Sequence, residues 1–351
     1  MHPRTSPAAV PPVRSVPPRL RGAALAALLV TALGCALPSA RLAAQDAPPP
    51  SRPRITGLSH VAFWVKDIDQ SRAFYKGYLG FDEPFSLRNK DGSLHLTWIK
   101  INDRQTIELF PITDKTPAGG DSLYHIALET DDAVAMLGYL AAHGVTGPGG
   151  KALPKKVGKG QIGNLNYFVE DPDGHIVEIV QYAPEGWTIG NKGKFLPDTR
   201  ISARISHAGI SVANLEASLK FYRDILGCTE FWRGSSNGKT LSWVNMRVPD
   251  GNDYLELMLY GNKPTLERLH TMNHLCLEVA DIAPVAATLQ GRALPAACHA
   301  TSAMKIGVNG KRQINCFDPD GSRVEVMEAV TASGKPVPPS GAPPPRSDAA
   351  G

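Results

Sequence analysis

The stretch Ser59-His60-Val61-Ala62-Phe63-Trp64-Val65 is written a second time as Ser206-His207-Ala208-Gly209-Ile210-Ser211-Val212. The same offset of 147 residues carries Phe74-Tyr75 onto Phe221-Tyr222 and Leu79-Gly80 onto Leu226-Gly227. It also carries Asp171-Pro172-Asp173-Gly174 onto Asp318-Pro319-Asp320-Gly321. The chain is therefore a tandem duplication, with copies over 57–182 and 204–329 and a Gly- and Pro-containing linker over 183–203. Each copy is double again inside. A strand with a histidine opens every quarter (His60, His125, His207, His274), and a strand with a glutamate closes it (Glu108, Glu178, Glu256, Glu325).

Periodicity gives the quarter its elements. Val61, Phe63 and Val65 alternate with His60, Ala62 and Trp64, which is strand spacing. Asn214 caps a helix whose apolar face is Leu215, Leu219, Tyr222 and Leu226, and Gly227 stands where a terminator belongs. Alternating strands such as 241–246 follow, and Asp-Pro-Asp-Gly is the turn before the last strand. The unit is β-α-β-β-β. Four of them predict an α+β fold of mixed, strongly curved sheets with helices on the outer face.

The ends read differently. Residues 1–44 carry five arginines, no acid and the apolar run Ala23–Leu37, which is the pattern of a signal peptide with a cut after Leu42-Ala43-Ala44. That segment predicts export to the periplasm or medium. Ala32-Leu33-Gly34-Cys35 also resembles a lipoprotein box, with its first two residues in the less favoured order. Eleven of 30 prolines fall in 1–56 and six in 335–351, so 45–56 reads as a tether and 330–351 as a disordered tail. Without its five leader arginines, the net charge of +4 becomes −1. A near-neutral body gives no case for nucleic acid or an anionic surface as partner. No apolar run is long enough to span a bilayer. Cys228, Cys276, Cys298 and Cys316 remain after export, with no C-x-x-C pair. Free thiols and one disulfide stand as equal readings.

The histidines and glutamates carry the chemistry. Glu178 lies among Ile176, Val177, Ile179 and Val180, and Glu256 between Leu255 and Leu257. An ionised carboxylate there is costly without a neutralising partner. A cation between strands supplies one, and two imidazoles with two carboxylates suit a divalent transition metal. The order His-Glu-His-Glu occurs in both copies. The alternative is that the pattern marks descent, with one or both copies apo.

This pattern resembles the vicinal oxygen chelate superfamily: glyoxalase I, extradiol ring-cleaving dioxygenases, fosfomycin-resistance proteins and bleomycin-binding proteins. The resemblance covers nearly all of 57–330 and implies two tandem domains of that fold. It implies metal ligands at His60, Glu108, His125 and Glu178, and again at His207, Glu256, His274 and Glu325. The metal would be Zn, Ni, Co, Mn or Fe(II), polarising a carbonyl and steadying an enediolate, with Glu178 or Glu325 as the base. A small-molecule substrate follows, and either a homodimer or pairing of the two copies within one chain. Glutathione, the usual thiol of glyoxalase I substrates, is mainly cytosolic, so export argues for another small oxygenated substrate.

Two alternatives stand beside this lyase or isomerase reading. An extradiol dioxygenase would use two histidines and one glutamate, but the tyrosine three residues before its Asp-Pro is Phe168 or Asn315 here, with Tyr167 as a substitute. A non-catalytic binder would line the cups with Trp64, Trp98, Trp232 and Trp243. Among the remaining histidines, His95 faces the same cup, and His143, His175, His270 and His299 read as surface. Lys155, Lys156 and Lys159 form a basic loop able to close over an anion, though a solvated loop is the simpler reading.

Overall fold

The computed structural model describes residues 50–346 except 115 and 117–119. The expected signal peptide over 1–44 and the last residues of the tail lie outside these. The first unit is β1 (Ile55–Val65), α1 (Ile68–Arg72, continuing as a π-helix over Ala73–Tyr78), β2 (Ser86–Arg88), β3 (Leu94–Lys100) and β4 (Thr106–Pro111). The second is β5 (Leu123–Thr130), α2 (Ala133–Ala142), β6 (Gly158–Lys159), β7 (Leu165–Glu170) and β8 (Ile176–Gln181). A short helix, α3 (Trp187–Gly190), lies in the linker. The third unit is β9 (Ile205–Val212), α4 (Leu215–Leu219, then a π-helix over Lys220–Ile225), β10 (Thr229–Gly234), β11 (Trp243–Arg247) and β12 (Tyr254–Leu259). After α5 (Leu266–Met272), the fourth is β13 (His274–Val279), α6 (Ile282–Gln290), β14 (Lys305–Ile306), β15 (Lys311–Phe317) and β16 (Arg323–Thr331).

The four β-α-β-β-β units pair into two eight-stranded mixed sheets, ordered β2-β3-β4-β1-β5-β8-β7-β6 and β10-β11-β12-β9-β13-β16-β15-β14. Each sheet holds one complete copy. Its two units meet along an antiparallel seam, β1 with β5 and β9 with β13, flanked by parallel pairs. Asn214 caps α4 by accepting from the Ala217 N–H, and Asp67 does the same for α1. Gly80 and Gly227 follow the π-helical turns with φ of 81° and 77°. A side chain is strained in that conformation, which is why Leu-Gly recurs in both copies.

The other repeated motifs hold the copies to each other. Tyr75 of the first helix donates to Asp318 in the turn of the second copy at 3.1 Å. Tyr222 donates to Asp171 in the turn of the first at 2.8 Å. Phe-Tyr and Asp-Pro-Asp-Gly are thus one reciprocal contact written twice, and the apolar core runs through both copies. The copies therefore pair within one chain.

Three expectations are corrected. The proline-rich tail does not hang free up to residue 346: Ser340 N–H donates to Arg233 O, Leu241 N–H donates to Pro343 O, and Ala342 packs against the core. Proline suits such a strap because it loses little backbone freedom on docking. Before β1, Arg52 is likewise engaged, with Asp250 at 3.1 Å. His175 is not on the surface but wedged between the copies, its Nδ1 2.9 Å from Asp171 and its Nε2 3.3 Å from Ser211 of the second copy. All four cysteines are free thiols, so the disulfide reading fails. Among the described residues, no helix is long and apolar enough to cross a membrane.

Candidate metal centre

Strand register alone brings the first four candidate ligands onto one face. His60 and Ala62 share a face of β1, being two residues apart. Ala62 is the registered partner of Glu108 on β4 and of His125 on β5. Ala127, on the face of His125, is the partner of Glu178 on β8. The four side chains therefore project into the same cup from four adjacent strands. Small residues at 62 and 127 leave room for them to lean together. The second copy repeats the layout, with Gly209 opposite both Glu256 and His274, and Cys276 opposite both His207 and Glu325.

In the first centre the His60 and His125 Nε2 atoms are 2.9 Å apart. Glu178 Oε2 lies 3.0 and 3.1 Å from them, and Glu108 Oε2 lies 3.7 Å from both. Donors ~2.0–2.2 Å from a common cation stand about 2.9–3.6 Å from one another. All four are buried. The donor set fits a divalent transition metal in chemistry, spacing and burial.

Surrounding groups aim these ligands. Tyr182 donates to the Arg104 carbonyl, so Ser59 Oγ donates to Tyr182 at 2.5 Å and accepts from His60 Nδ1 at 3.0 Å. The Nδ1 proton leaves the His60 Nε2 lone pair facing the cup. Asn166 Nδ2 donates to Glu178 Oε1 at 2.7 Å, leaving Oε2 to face the imidazoles. Burial alone would depress His60, but Glu108 and Glu178 outweigh it and raise its pKa. Burial also opposes ionisation of Glu178, yet His60 and the hydrogen bond from His125 hold it well below the usual carboxylate range. Glu108 goes the other way, lifted by burial against the pull of both histidines. This centre is short of positive charge.

The second centre has the same four residues and another arrangement. His207 and His274 Nε2 are 3.1 Å apart, and Glu325 Oε2 is 3.3 Å from the first and 3.7 Å from the second. Glu256 Oε2 is 3.7 Å from His274. Arg323 enters here: its Nη2 lies 2.8 Å from Nδ1 and 3.0 Å from Nε2 of His274, and its Nη1 lies 4.0 Å from Glu325. His274 Nδ1 is also 2.7 Å from the Met272 carbonyl. Burial first, and then Arg323, push His274 down to about 3. Tyr254 stacks on His207 with ring centroids 4.5 Å apart.

A cavity of about 310 Å³ opens over the first centre and includes His60, Glu108, His125 and Glu178 in its lining. His95 is on its wall, as the strand pattern suggested, and so is Trp98. Trp64 packs instead against Phe110 and Tyr124. Trp232 folds over Gly234, away from any such role. Lys155 and Lys156 line a separate groove beside α2, and Lys159 pairs with Glu185 at 3.1 Å, so the loop lends the cavity wall its Gly160 but none of its three lysines. Tyr167 faces the apolar core, whereas Phe168, registered with Glu178, faces the cavity. It cannot replace the tyrosine of the ring-cleaving pattern. Sequence reasoning missed Trp187, which the linker helix lends to the cavity wall, and Ser59, Tyr182 and Asn166. The doublets Ser59-His60 and Ser206-His207 were the available signal for Ser59.

The family model of the Glyoxalase/Bleomycin resistance protein/Dioxygenase superfamily matches residues 57–179 and 204–326. Lactoylglutathione lyase of Neisseria meningitidis is 31% identical over 135 residues, covering 35% of this chain and 89% of that protein. The mitochondrial methylmalonyl-CoA epimerase of Mus musculus is 29% identical over 137 residues, covering 36% and 73%. Among solved structures, the 2,3-dioxygenase LapB of Pseudomonas sp. KL28 superposes with a TM-score of 0.58 at 16% identity, covering 82% of this chain and 98% of that one. The Mn(II)-bound glyoxalase of Novosphingobium aromaticivorans gives 0.56 at 18%, covering 82% and 85%. At those identities the structures speak for the fold alone.

Proposed function

The chain belongs to the Glyoxalase/Bleomycin resistance protein/Dioxygenase superfamily in two tandem copies, and from that premise we propose that it is an exported, divalent-metal-dependent lyase or isomerase acting on a small oxygenated substrate. The observation that carries this reading is the convergence of His60, His125 and Glu178 within 3.1 Å of one another, with Glu108 3.7 Å from both imidazoles, at a cavity of about 310 Å³. That volume is at the small end of ligand sites. A metal held by these four residues supplies Lewis-acid polarisation of a substrate carbonyl.

The chain's own groups do the remaining work. Trp98, Phe110, Tyr124 and Trp187 wall the cavity and exclude water from the carbon that loses its proton. Glu178, ionised between two imidazoles, takes that proton and returns it to the neighbouring carbon. Asn166 keeps the carboxylate oriented throughout. What speaks against ring cleavage is Phe168, which faces the cavity at the position of that pattern's tyrosine.

The test is a substrate screen on metal-loaded protein: 2-oxo-aldehyde thiol adducts and 2-hydroxy or 2-oxo acids, followed by solvent deuterium incorporation, with catechols and oxygen uptake in parallel. Metal-dependent exchange with any of the first group supports the proposal. Oxygen uptake with catechols and no exchange would replace it with the dioxygenase reading. Chelator-indifferent ligand binding without either would replace it with a binding role.

A further inference from the structure

The two centres share their four ligand-type residues and differ in what stands between them. The position of Arg323 in the second copy is Ile176 in the first, at the repeat offset of 147. Both residues open the closing strand and lie beside the second histidine: Ile176 is registered with His125, and Arg323 has His274 within 2.8 Å. Thr106, registered with His60, is likewise replaced by Tyr254, registered with His207 and stacked on it.

We propose that the Arg323 guanidinium is the resident cation of the second centre, which therefore takes no divalent metal. Three observations carry this. The guanidinium lies against both nitrogens of His274, including the Nε2 that a metal held as in the first centre would use. Its charge stands 4.0 Å from the buried Glu325, which the two histidines alone would have to balance together with Glu256, and Gln313 donates to Glu325 at 2.5 Å. The His274 ring has also sunk over Gly209, where even a β-carbon would stand 2.0 Å from it. The equivalent residue of the first copy is Ala62, so that His125 stays raised toward its partners. The second constellation is held closed by the protein's own charge.

One metal ion per chain follows, and that count rests on the proposed reading of the first centre. The statement about Arg323 does not. Both are tested by equilibrium dialysis of the folded chain against Co(II), Mn(II) and Zn(II), with metal counted by mass spectrometry and the visible Co(II) spectrum recorded. Expected values are one equivalent for the parent, one for H274A, none for H125A, and two for R323I, which installs the residue of the first copy. The inference is overturned if the parent holds two equivalents. It is also overturned if R323I, folded by near-ultraviolet circular dichroism, binds no more metal than the parent. Should R323I not fold, the parent count decides: one equivalent, lost in H125A and kept in H274A, upholds the inference, and two equivalents, or one lost in H274A, overturn it. A parent that binds none beside an R323I chain that binds one would refute the proposed function and leave the inference standing.

Discussion

Replacing Gly209 by alanine tests whether the second centre is as tightly closed as described. An added Cβ would lie 2.0 Å from both Cε1 and Nδ1 of His274 and 2.9 Å from the Met272 carbonyl oxygen. Carbon contacts settle at about 3.5–4.0 Å, so the ring has to retreat by ~1.5 Å or more. It has nowhere to go. His274 is fully buried, its Nδ1 is tied to the Met272 carbonyl, and Arg323 lies against it. Forced overpacking costs about 1–3 kcal/mol, and the lost hydrogen bond adds about 1 kcal/mol. Urea unfolding of G209A should therefore show a loss of ~2–4 kcal/mol. A62G, in the first copy, relieves no clash and should cost only about 0.5–1 kcal/mol from backbone freedom. A G209A chain within ~0.5 kcal/mol of the parent, comparable to a neutral surface change, would refute the reasoning.

E178Q should lower kcat by ~100-fold or more, the usual worth of a positioned base, and steady-state kinetics with the substrate found in the screen will measure it. Y222F removes a donor from the fully buried Asp171, which several interactions keep ionised, above all His175 beside it after burial is counted. Unfolding should record a loss of about 1.5–3 kcal/mol, and a change under ~0.5 kcal/mol would refute the reciprocal contact as a stabilising one. Asp318, the same turn position in the second copy, has Ser322 where Asp171 has His175. Burial, with Asp320 nearby, pushes Asp318 up from 3.8 to about 7. Between those values the folded chain keeps a proton that the unfolded chain has released. Stability from this group therefore falls as pH rises through that window and is flat outside it. The stability difference between parent and D318N should slope over pH 4 to 7. A difference independent of pH would contradict the assignment.

The repeated features were legible in the sequence because they obey periods. The histidine strands, the Asn214 cap and the closing glutamates each follow from alternation or from the offset of 147, and register then places four donors on one face. What breaks the repeat was hidden for the same reason. Arg323 looks like an ordinary charged residue after a turn, and only its strand neighbour, 49 positions earlier, gives it meaning. Gly209 reads as a weak strand residue until His274 is seen above it. Trp187 lies in the linker, which periodicity treats as empty. The tail misled through composition, since proline marks a docked extended strap as readily as a free one.

The exchange of Tyr75 and Tyr222 between copies means that each helix completes the other copy's interior. A gene for one copy alone would have to meet itself as a symmetric pair, and any substitution would then appear at both centres together. An arginine beside one closing glutamate would arise beside the other as well, and both centres would lose their openness. Joining the copies in one polypeptide lifts that symmetry. One centre can then be turned into a strut while its twin keeps the geometry of an open coordination site, a division of labour that two identical subunits cannot reach.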